Sequence, residues 1–502
     1  MVRVGGWQWV WGVIIFCATA ATVLSAQTLT TLVTFDGKDG FLPQVPLTQG
    51  IDGNFYGTTY FGGSSHACFS GCGTVFKVTP TGTFNDLYSF CSKTGCIDGE
   101  NPVGSLVQAD DGDIYGVTLY GGSNYQNCPN TRCGTIFKIS SEGTLTRFYS
   151  FCALANCADG YFPRAGLIQG TNRSLYGTTA GGGANGAGTI FAITPAGKMT
   201  PLYNFCSETG CADGSYVVGS LVQAFNGSFY GATFSGGFQC NPPYGCGTIF
   251  EMTPEGKFTT LYTFHGPDGG NPTGLMQASN GEFYGVTSSG GTGSSCPSDY
   301  TEGCGTLFKI NNGGNLRTLY NFCSLPNCTD GISPNGPLLQ ATDGKLYGTV
   351  GSGGTYGLGA IFAIAPTGVL TTVYSFCAAL PLCPDGADPA AGVLQSTNGM
   401  FYGTTAQGGT ESAGTAFSLN TGLAPFVSFI RNPAKVGQQF GILGYGLTGT
   451  TSVSFNGVAA KFKLQSDTLL VAKVPAGATT GYVTVTTPSA TLTSNVPFRV
   501  IP

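Results

Sequence analysis

The chain is poor in the residues that most chemistry and most electrostatic recognition require. Two histidines in 502 residues leave little imidazole for general acid–base work or for metal ligation. Charged residues make up only 9% of the sequence, and the formal net charge is −5. An acidic chain without a basic cluster excludes the electropositive footprint of a nucleic-acid-binding protein. Beyond residue 26 no apolar run is long enough to cross a bilayer as a helix. Cysteine is absent after Cys383, so the last part of the chain differs in kind from what precedes it.

What is abundant is glycine, 81 residues of it, together with 41% hydrophobic residues. The glycines stand at fixed places in a repeat. The motif Tyr-Gly-x-Thr/Val begins at Tyr56, Tyr115, Tyr176, Tyr230, Tyr284, Tyr347 and Tyr402, between 54 and 63 residues apart. Each copy holds four short apolar runs: Gly-x-Leu-x-Gln, Tyr-Gly-x-Thr, Gly-Thr-Ile-Phe and Leu-Tyr-x-Phe. Between the first and second runs stand Asx-Gly pairs such as Asp52-Gly53, Asn226-Gly227 and Asn398-Gly399. Such pairs are the strongest short-range hairpin signal, because both central residues tolerate positive φ. Pro-x-Gly turns such as Pro80-Thr81-Gly82 join the third and fourth runs. A strand-filled repeat of this size predicts an all-β fold, a seven-bladed β-propeller with four-stranded blades. Residues 28–35 (TLTTLVTF) form an orphan fourth run, and the last repeat lacks its own. The N-terminal strand is therefore expected to close the last blade and leave no open edge. A β-solenoid has no reason to carry such complementary ends.

Residues 7–26 are nearly all apolar, follow Arg3 and end in small residues, which predicts a signal peptide over 1–26 cleaved after Ala26. An uncleaved anchor is the alternative. Cys17 follows Phe16, a poor context for lipid attachment. The other 18 cysteines form nine close pairs. Five follow the Tyr-x-Phe run: Cys91/Cys96, Cys152/Cys157, Cys206/Cys211, Cys323/Cys328 and Cys377/Cys383. Four precede Gly-Thr-x-Phe: Cys68/Cys72, Cys128/Cys133, Cys240/Cys246 and Cys296/Cys304. A repeat that lacks one member of a pair lacks both, as local disulfides in an exported protein predict. Zinc ligation is set aside because the pairs sit in separate repeats, with three to seven intervening residues. No metal or cofactor is expected.

In a four-stranded meander all nine pairs fall in loops at one end of the blades, so one face is long-looped and stapled while the other consists of tight turns. Loops on a rigid scaffold are where binding residues concentrate, and the stapled face is the candidate. Its long loops carry Phe69, Tyr125, Phe238, Tyr244 and Tyr300, aromatic rings suited to stacking on sugars or to a protein interface. Two repeated polar positions invite both a functional and a structural reading. Asp39, Asp98, Asp159, Asp213, Asp268, Asp330 and Asp385 each precede a loop glycine; they could ring a cation or bond their own turns. Gln49, Gln108, Gln169, Gln223, Gln277, Gln340 and Gln395 end the first run; they could line a channel or bridge blades. Candidates for catalysis are thin: Asp299, Glu302, His66 and His265 form no motif.

The copies YNFCSETGCADG (203–214), LYGTTAGGG (175–183) and GTIFKIS (134–140) resemble the GloVer tandem-repeat family of bacterial exported proteins, over about residues 28–420. The resemblance implies secretion or surface display and supplies no catalytic residues. Past Asn420 short alternating strands predict a small β-sandwich over 423–502, after a propeller over 27–422. The stretch GLTGTTSVSFNGVAAKF with SDTLLVAKVPAGATTGYVTV resembles an IPT/TIG immunoglobulin-like domain, which implies a spacer or interaction module. These features predict an exported, non-enzymatic binding or adhesion protein. Its ligand, of unknown identity, would be extracellular: a glycan or a surface protein. A propeller enzyme acting on polysaccharide and a purely structural envelope component are the alternatives.

Overall fold

A computed structural model describes residues 27–124, 127–128, 133–237, 245–293, 295–297 and 303–501. The expected signal segment 1–26 lies outside them. Seven four-stranded antiparallel sheets are built in chain order. The first contains Thr48–Gln49, Phe55–Thr59, Thr74–Val78 and Phe84–Ser89. Five more follow the same plan. The seventh is made of Val393–Gln395, Phe401–Thr405 and Thr415–Asn420, and its fourth strand is Thr28–Thr34. Thr28 pairs with Asn420 and Thr34 with Thr415, in antiparallel register with one bulge. The orphan N-terminal run thus fills the vacancy in the last repeat.

The repeated residues hold the sheets side by side. Tyr56 to Tyr402, the seven motif tyrosines, are buried, and the hydroxyl of each meets the Asx of its own hairpin, as Tyr115 does with Asp111 at 2.7 Å and Tyr402 with Asn398 at 2.8 Å. Their rings pack on the neighbouring blade: Tyr176 stacks on Phe229 at 4.2 Å, and Tyr402 stacks on Phe55 at 3.9 Å across the closure. Glycine follows the tyrosine because the third-strand phenylalanine crosses there. A Cβ on Gly57 would lie 2.5 Å from Phe76 Cζ. Six blades also pair two buried threonines, such as Thr59 and Thr74 at 2.9 Å; the sixth blade has Val350 and Ala360 instead.

Two rings of hydrogen bonds run from blade to blade. At the tight-turn end, each first-strand glutamine accepts a backbone N–H from the preceding blade: Ile51 to Gln108, Asp110 to Gln169, Thr171 to Gln223, and so on round to Thr342 and Gln395. Thr397 donates to Gln49 and completes the cycle. The glutamines therefore bridge blades, and a closed set of seven such bonds fixes a seven-bladed ring. At the other end, the residue entering each new blade donates its N–H to a loop of the blade before, from Asn101 to the Cys72 carbonyl round to Leu42 and that of Ala413.

The C-terminal region is a sandwich. One sheet orders Ser428–Phe429, Gln439–Leu443, Leu469–Lys473 and Phe462–Leu464. The other orders Val458–Ala459, Ser452–Phe455, Val483–Thr486 and Thr491–Thr493. Alternating inward residues, among them Phe440, Ile442, Val453, Phe455, Leu470 and Val485, form its core. This module seats on the tight-turn face of the propeller. Arg431 reaches Asp110 at 3.1 Å, and Thr468 donates to the Ile51 carbonyl at 2.9 Å.

Candidate functional site

With one face occupied by the sandwich, the stapled face is the open one. Eight disulfides are described, all between nearest neighbours in sequence: Cys68–Cys72, Cys91–Cys96, Cys128–Cys133, Cys152–Cys157, Cys206–Cys211, Cys296–Cys304, Cys323–Cys328 and Cys377–Cys383. Their Cα–Cα separations run from 4.0 to 5.7 Å. Cys246 is also disulfide-bonded, and Cys240 lies outside the described residues.

One expectation about these cysteines is corrected. The pairs do not all sit in separate repeats: Cys68–Cys72 and Cys91–Cys96 share the first blade, and Cys68 Sγ lies 4.0 Å from Cys91 Sγ. Thiolate zinc sites fail for a different reason in three blades, where the pairs Cys206/Cys211, Cys240/Cys246 and Cys377/Cys383 each stand without a second pair. Two sulfurs cannot complete a tetrahedral zinc site. The pairs stand in the connections between strands, as expected, and several of their cysteines are also core residues: Cys157, Cys304 and Cys328, for example, are 5%, 1% and 4% exposed. Cys157 packs in a core with Phe151 and Phe191, and Cys304 and Cys328 share another with Leu307, Phe322 and Phe362. Cys157 and Cys328 each end a single 3-10 turn, Ala155–Cys157 and Pro326–Cys328, which folds the loop back over its blade. Cys304 stands two residues before the strand Thr306–Ile310 and is carried inward with it. Disulfide sulfur is apolar enough to serve as core, so these bridges fasten the loops to the blades as well as closing them.

The loop aspartates are committed to structure. Asp98, Asp159, Asp213 and Asp330 are buried. Asp159 accepts the Ala153 N–H at 3.0 Å and the Tyr149 hydroxyl at 2.8 Å, and Asp213 accepts from Ser207 and Tyr203 in the same way. Burial and the adjacent carboxylate push the phenols up, Tyr88 and Tyr203 to about 12. Asp39 is the exception, because Val33 stands where the other blades have tyrosine. Its carboxyl bonds the Asp36 N–H at 2.9 Å, and burial pushes it up to about 6.

Among the aromatic residues chosen from the sequence, Phe69 is fully exposed at its loop tip. Tyr125, Phe238, Tyr244 and Tyr300 lie outside the described residues, as do Asp299 and Glu302. His66 is exposed, and His265 faces Asp268 at 3.6 Å. These positions form no catalytic constellation among the described residues.

The structure brings together a different set. Each blade is entered through one residue in the left-handed region: Leu42, Asn101, Phe162, Tyr216, Asn271, Ser333 and Asp388, with φ between 49° and 57°. Bulky side chains are uncommon in this conformation. These residues enter the first strands that surround the central channel, and residues of all seven blades line it, from Val45 through Arg164, Gly219 and Thr273 to Ala391. Asn101 and Asn271 spend their side chains on the carbonyls of Tyr60 and Phe234. Phe162 and Tyr216 instead join an aromatic arc. Tyr120 packs edge-on to Phe162 at 5.6 Å, and Tyr216 packs edge-on to Phe234 at 6.2 Å. The equivalent entry positions on four of the remaining five blades are polar. Asp388 belongs to that side, and burial raises its carboxyl above the usual range.

Beside Tyr216 and Phe234 a cleft of about 650 Å³ opens between the third, fourth and fifth blades, lined also by Ala187, Ser215 and Asn271. Arg164, one blade back, places its guanidinium 5.3 Å from the Tyr216 ring centroid. Sequence reasoning misses this arc, because it follows the cysteine loops and the repeated aspartates and not the variable residue that enters each blade. The variation at that one aligned position, from Leu42 to Asp388, is the signal that could have found it.

The family comparisons agree with this architecture. The model of the Gloeobacter/Verrucomicrobia repeat matches residues 10–153, 98–294 and 238–458, and the IPT/TIG domain model matches 425–500. No curated protein matches the chain. Among solved structures, a fungal alcohol oxidase of the AA5 family in complex with copper is 12% identical with a TM-score of 0.46, covering 95% of this chain and 99% of that one. The PQQ-bound aldose sugar dehydrogenase from Streptomyces coelicolor is 13% identical with a TM-score of 0.38, covering 78% of this chain and 98% of that one. Likeness at this level transfers no site. The matched repeats cover most of the sequence, and the chain belongs to the Gloeobacter/Verrucomicrobia repeat family, with an IPT/TIG domain at its C-terminal end.

Proposed function

We propose that this is an exported, non-enzymatic binding protein that takes a carbohydrate on the stapled face, at the mouth of the propeller channel. The observation that carries the reading is the aromatic arc beside a cleft of about 650 Å³, on the face that the C-terminal domain leaves open. Flat rings held half-buried by a disulfide-bonded scaffold can stack on pyranose faces while losing little loop freedom on binding. Local disulfides in most blades support an oxidising, extracytoplasmic location. Phe69, exposed on the same face, is proposed to extend the contact surface, together with Tyr125, Phe238, Tyr244 and Tyr300, which lie outside the described residues.

A glycan and cell-wall screen on the oxidised protein tests the reading. Binding is expected to fall about tenfold or more in Tyr216→Ala and Phe234→Ala. It is expected to persist in the tight-turn variants Thr81→Ala and Glu255→Ala. Loss of binding in the turn variants with silent ring variants would mean that the proposed face is the wrong one.

A further inference from the structure

Arg164 is out of keeping with its surroundings. The positions equivalent to it around the channel are Gln44, Val103, Val218, Thr273, Asn335 and Ala390. It is therefore the one charged side chain at this level of the ring. Its Nε–H is buried and meets no acceptor among the described residues, and the Thr273 hydroxyl is likewise buried without a partner there. Both residues line the channel or its rim. Arg164 enters none of the described ion pairs. Its one described close partner is the face of the Tyr216 ring, and its charge also acts on the half-buried Tyr60. A buried donor without an acceptor costs free energy that a bound acceptor would recover.

We infer that the cleft takes a carboxylated sugar, a uronic acid residue of an acidic polysaccharide, with its ring on Tyr216 and Phe234 and its carboxylate on Arg164. This rests on the carbohydrate reading given above and sharpens it. A planar carboxylate matches the forked donors of a guanidinium. The neighbouring aromatic face holds that guanidinium and offers the stacking surface for the sugar. Arg164 stands on the third blade, where the channel adjoins the cleft, and its guanidinium is 5.3 Å from the Tyr216 ring centroid, so the ring and charge contacts can be made by a single residue of the polymer.

The test uses the full exported chain with oxidised disulfides, titrated with oligogalacturonate, with its carboxyl-reduced neutral counterpart, and with a sulfated glucan. The expected result is about tenfold or more tighter binding of oligogalacturonate than of the reduced oligomer. Arg164→Gln should bring the two within about twofold, and Arg164→Lys should recover only part of the preference. Equal binding of acidic and reduced oligomers by the parent overturns the inference, as does a preference that survives Arg164→Gln or binding of the sulfated glucan alone. If the reduced oligomer binds as well as the acidic one and Tyr216→Ala abolishes it, the carbohydrate reading stands without this refinement. If none of the three sugars binds, both fail.

Discussion

Gln49 and Thr397 stand 348 residues apart in sequence and are joined twice. The Gln49 amide oxygen accepts the Thr397 backbone N–H at 3.2 Å, and its Nε2 donates to Thr397 Oγ1 at 3.1 Å. This is the seventh of seven equivalent inter-blade bonds, and it joins the first blade to the last. Closure is thus a property of side-chain amides at one end, of backbone donors at the other, and of a borrowed strand in between.

The borrowed strand can be removed. Deleting residues 28–35 exposes the edge of Thr415–Asn420 and takes away Phe35, which is buried against Phe76 at 5.2 Å. An unpaired edge invites pairing with another chain. The expected outcome is a lower melting temperature together with self-association, read by thermal denaturation and light scattering. A variant that stays monomeric with the parent's melting temperature would contradict strand-borrowing closure.

Asp159 and Asp213 bind their own loops together, so replacing either should be expensive. Asp213→Ala leaves the Tyr203 hydroxyl and the Ser207 N–H without their acceptor. The expected loss is about 2–3 kcal/mol, from hydrogen bonds to a charged acceptor. Denaturant unfolding measures it. A loss under about 0.5 kcal/mol, the scatter of surface substitutions, would mean that the loop does not depend on its aspartate.

Asp39 should give stability an acid dependence of its own. Its folded carboxyl titrates at about 6 against an ordinary value of 3.8, so between these values the folded chain holds more protons than the unfolded one. Its contribution therefore falls as pH rises from about 4 to 6 and stays at the lower level above. Asp39→Asn keeps an oxygen for the Asp36 N–H and removes the titration. Thermal melts of the variant and the parent across this range should show the variant gaining on the parent as pH rises. A constant difference between them would refute the assignment.

The seat of the C-terminal domain rests on few polar contacts, and Asp110 is shared by Arg431 at 3.1 Å and Arg173 at 3.5 Å. Asp110→Ala removes both. Loosened docking should appear as faster hydrogen exchange in Leu469–Lys473 and at Ile51, and as earlier proteolysis near residue 423. The ligand affinity of the opposite face should be unchanged. Exchange identical to the parent's would show that apolar packing alone holds the seat.

The sequence by itself determined the repeat and the strand count, because hairpin glycines, apolar runs and paired cysteines are local signals. It also showed the complementary ends: residues 28–35 and the truncated last repeat can be matched on paper. Val33 in place of the usual tyrosine was equally plain to read, though its effect on Asp39 depends on how deeply the loop is buried. Nearest-neighbour pairing of the cysteines was legible too, whereas the burial of Cys157, Cys304 and Cys328 was not, since it depends on which core each loop folds against. The tertiary structure alone decided which repeated residues are spent on the scaffold. The aspartates and glutamines looked alike as candidates for a site until their partners, lying in other loops and other blades, were in view. Only the packing of neighbouring blades carries Arg164 to the ring of Tyr216, because consecutive first strands begin side by side at the same mouth. The sandwich, in turn, decides which face remains open, through contacts from Arg431 and Thr468 that no sequence pattern announces.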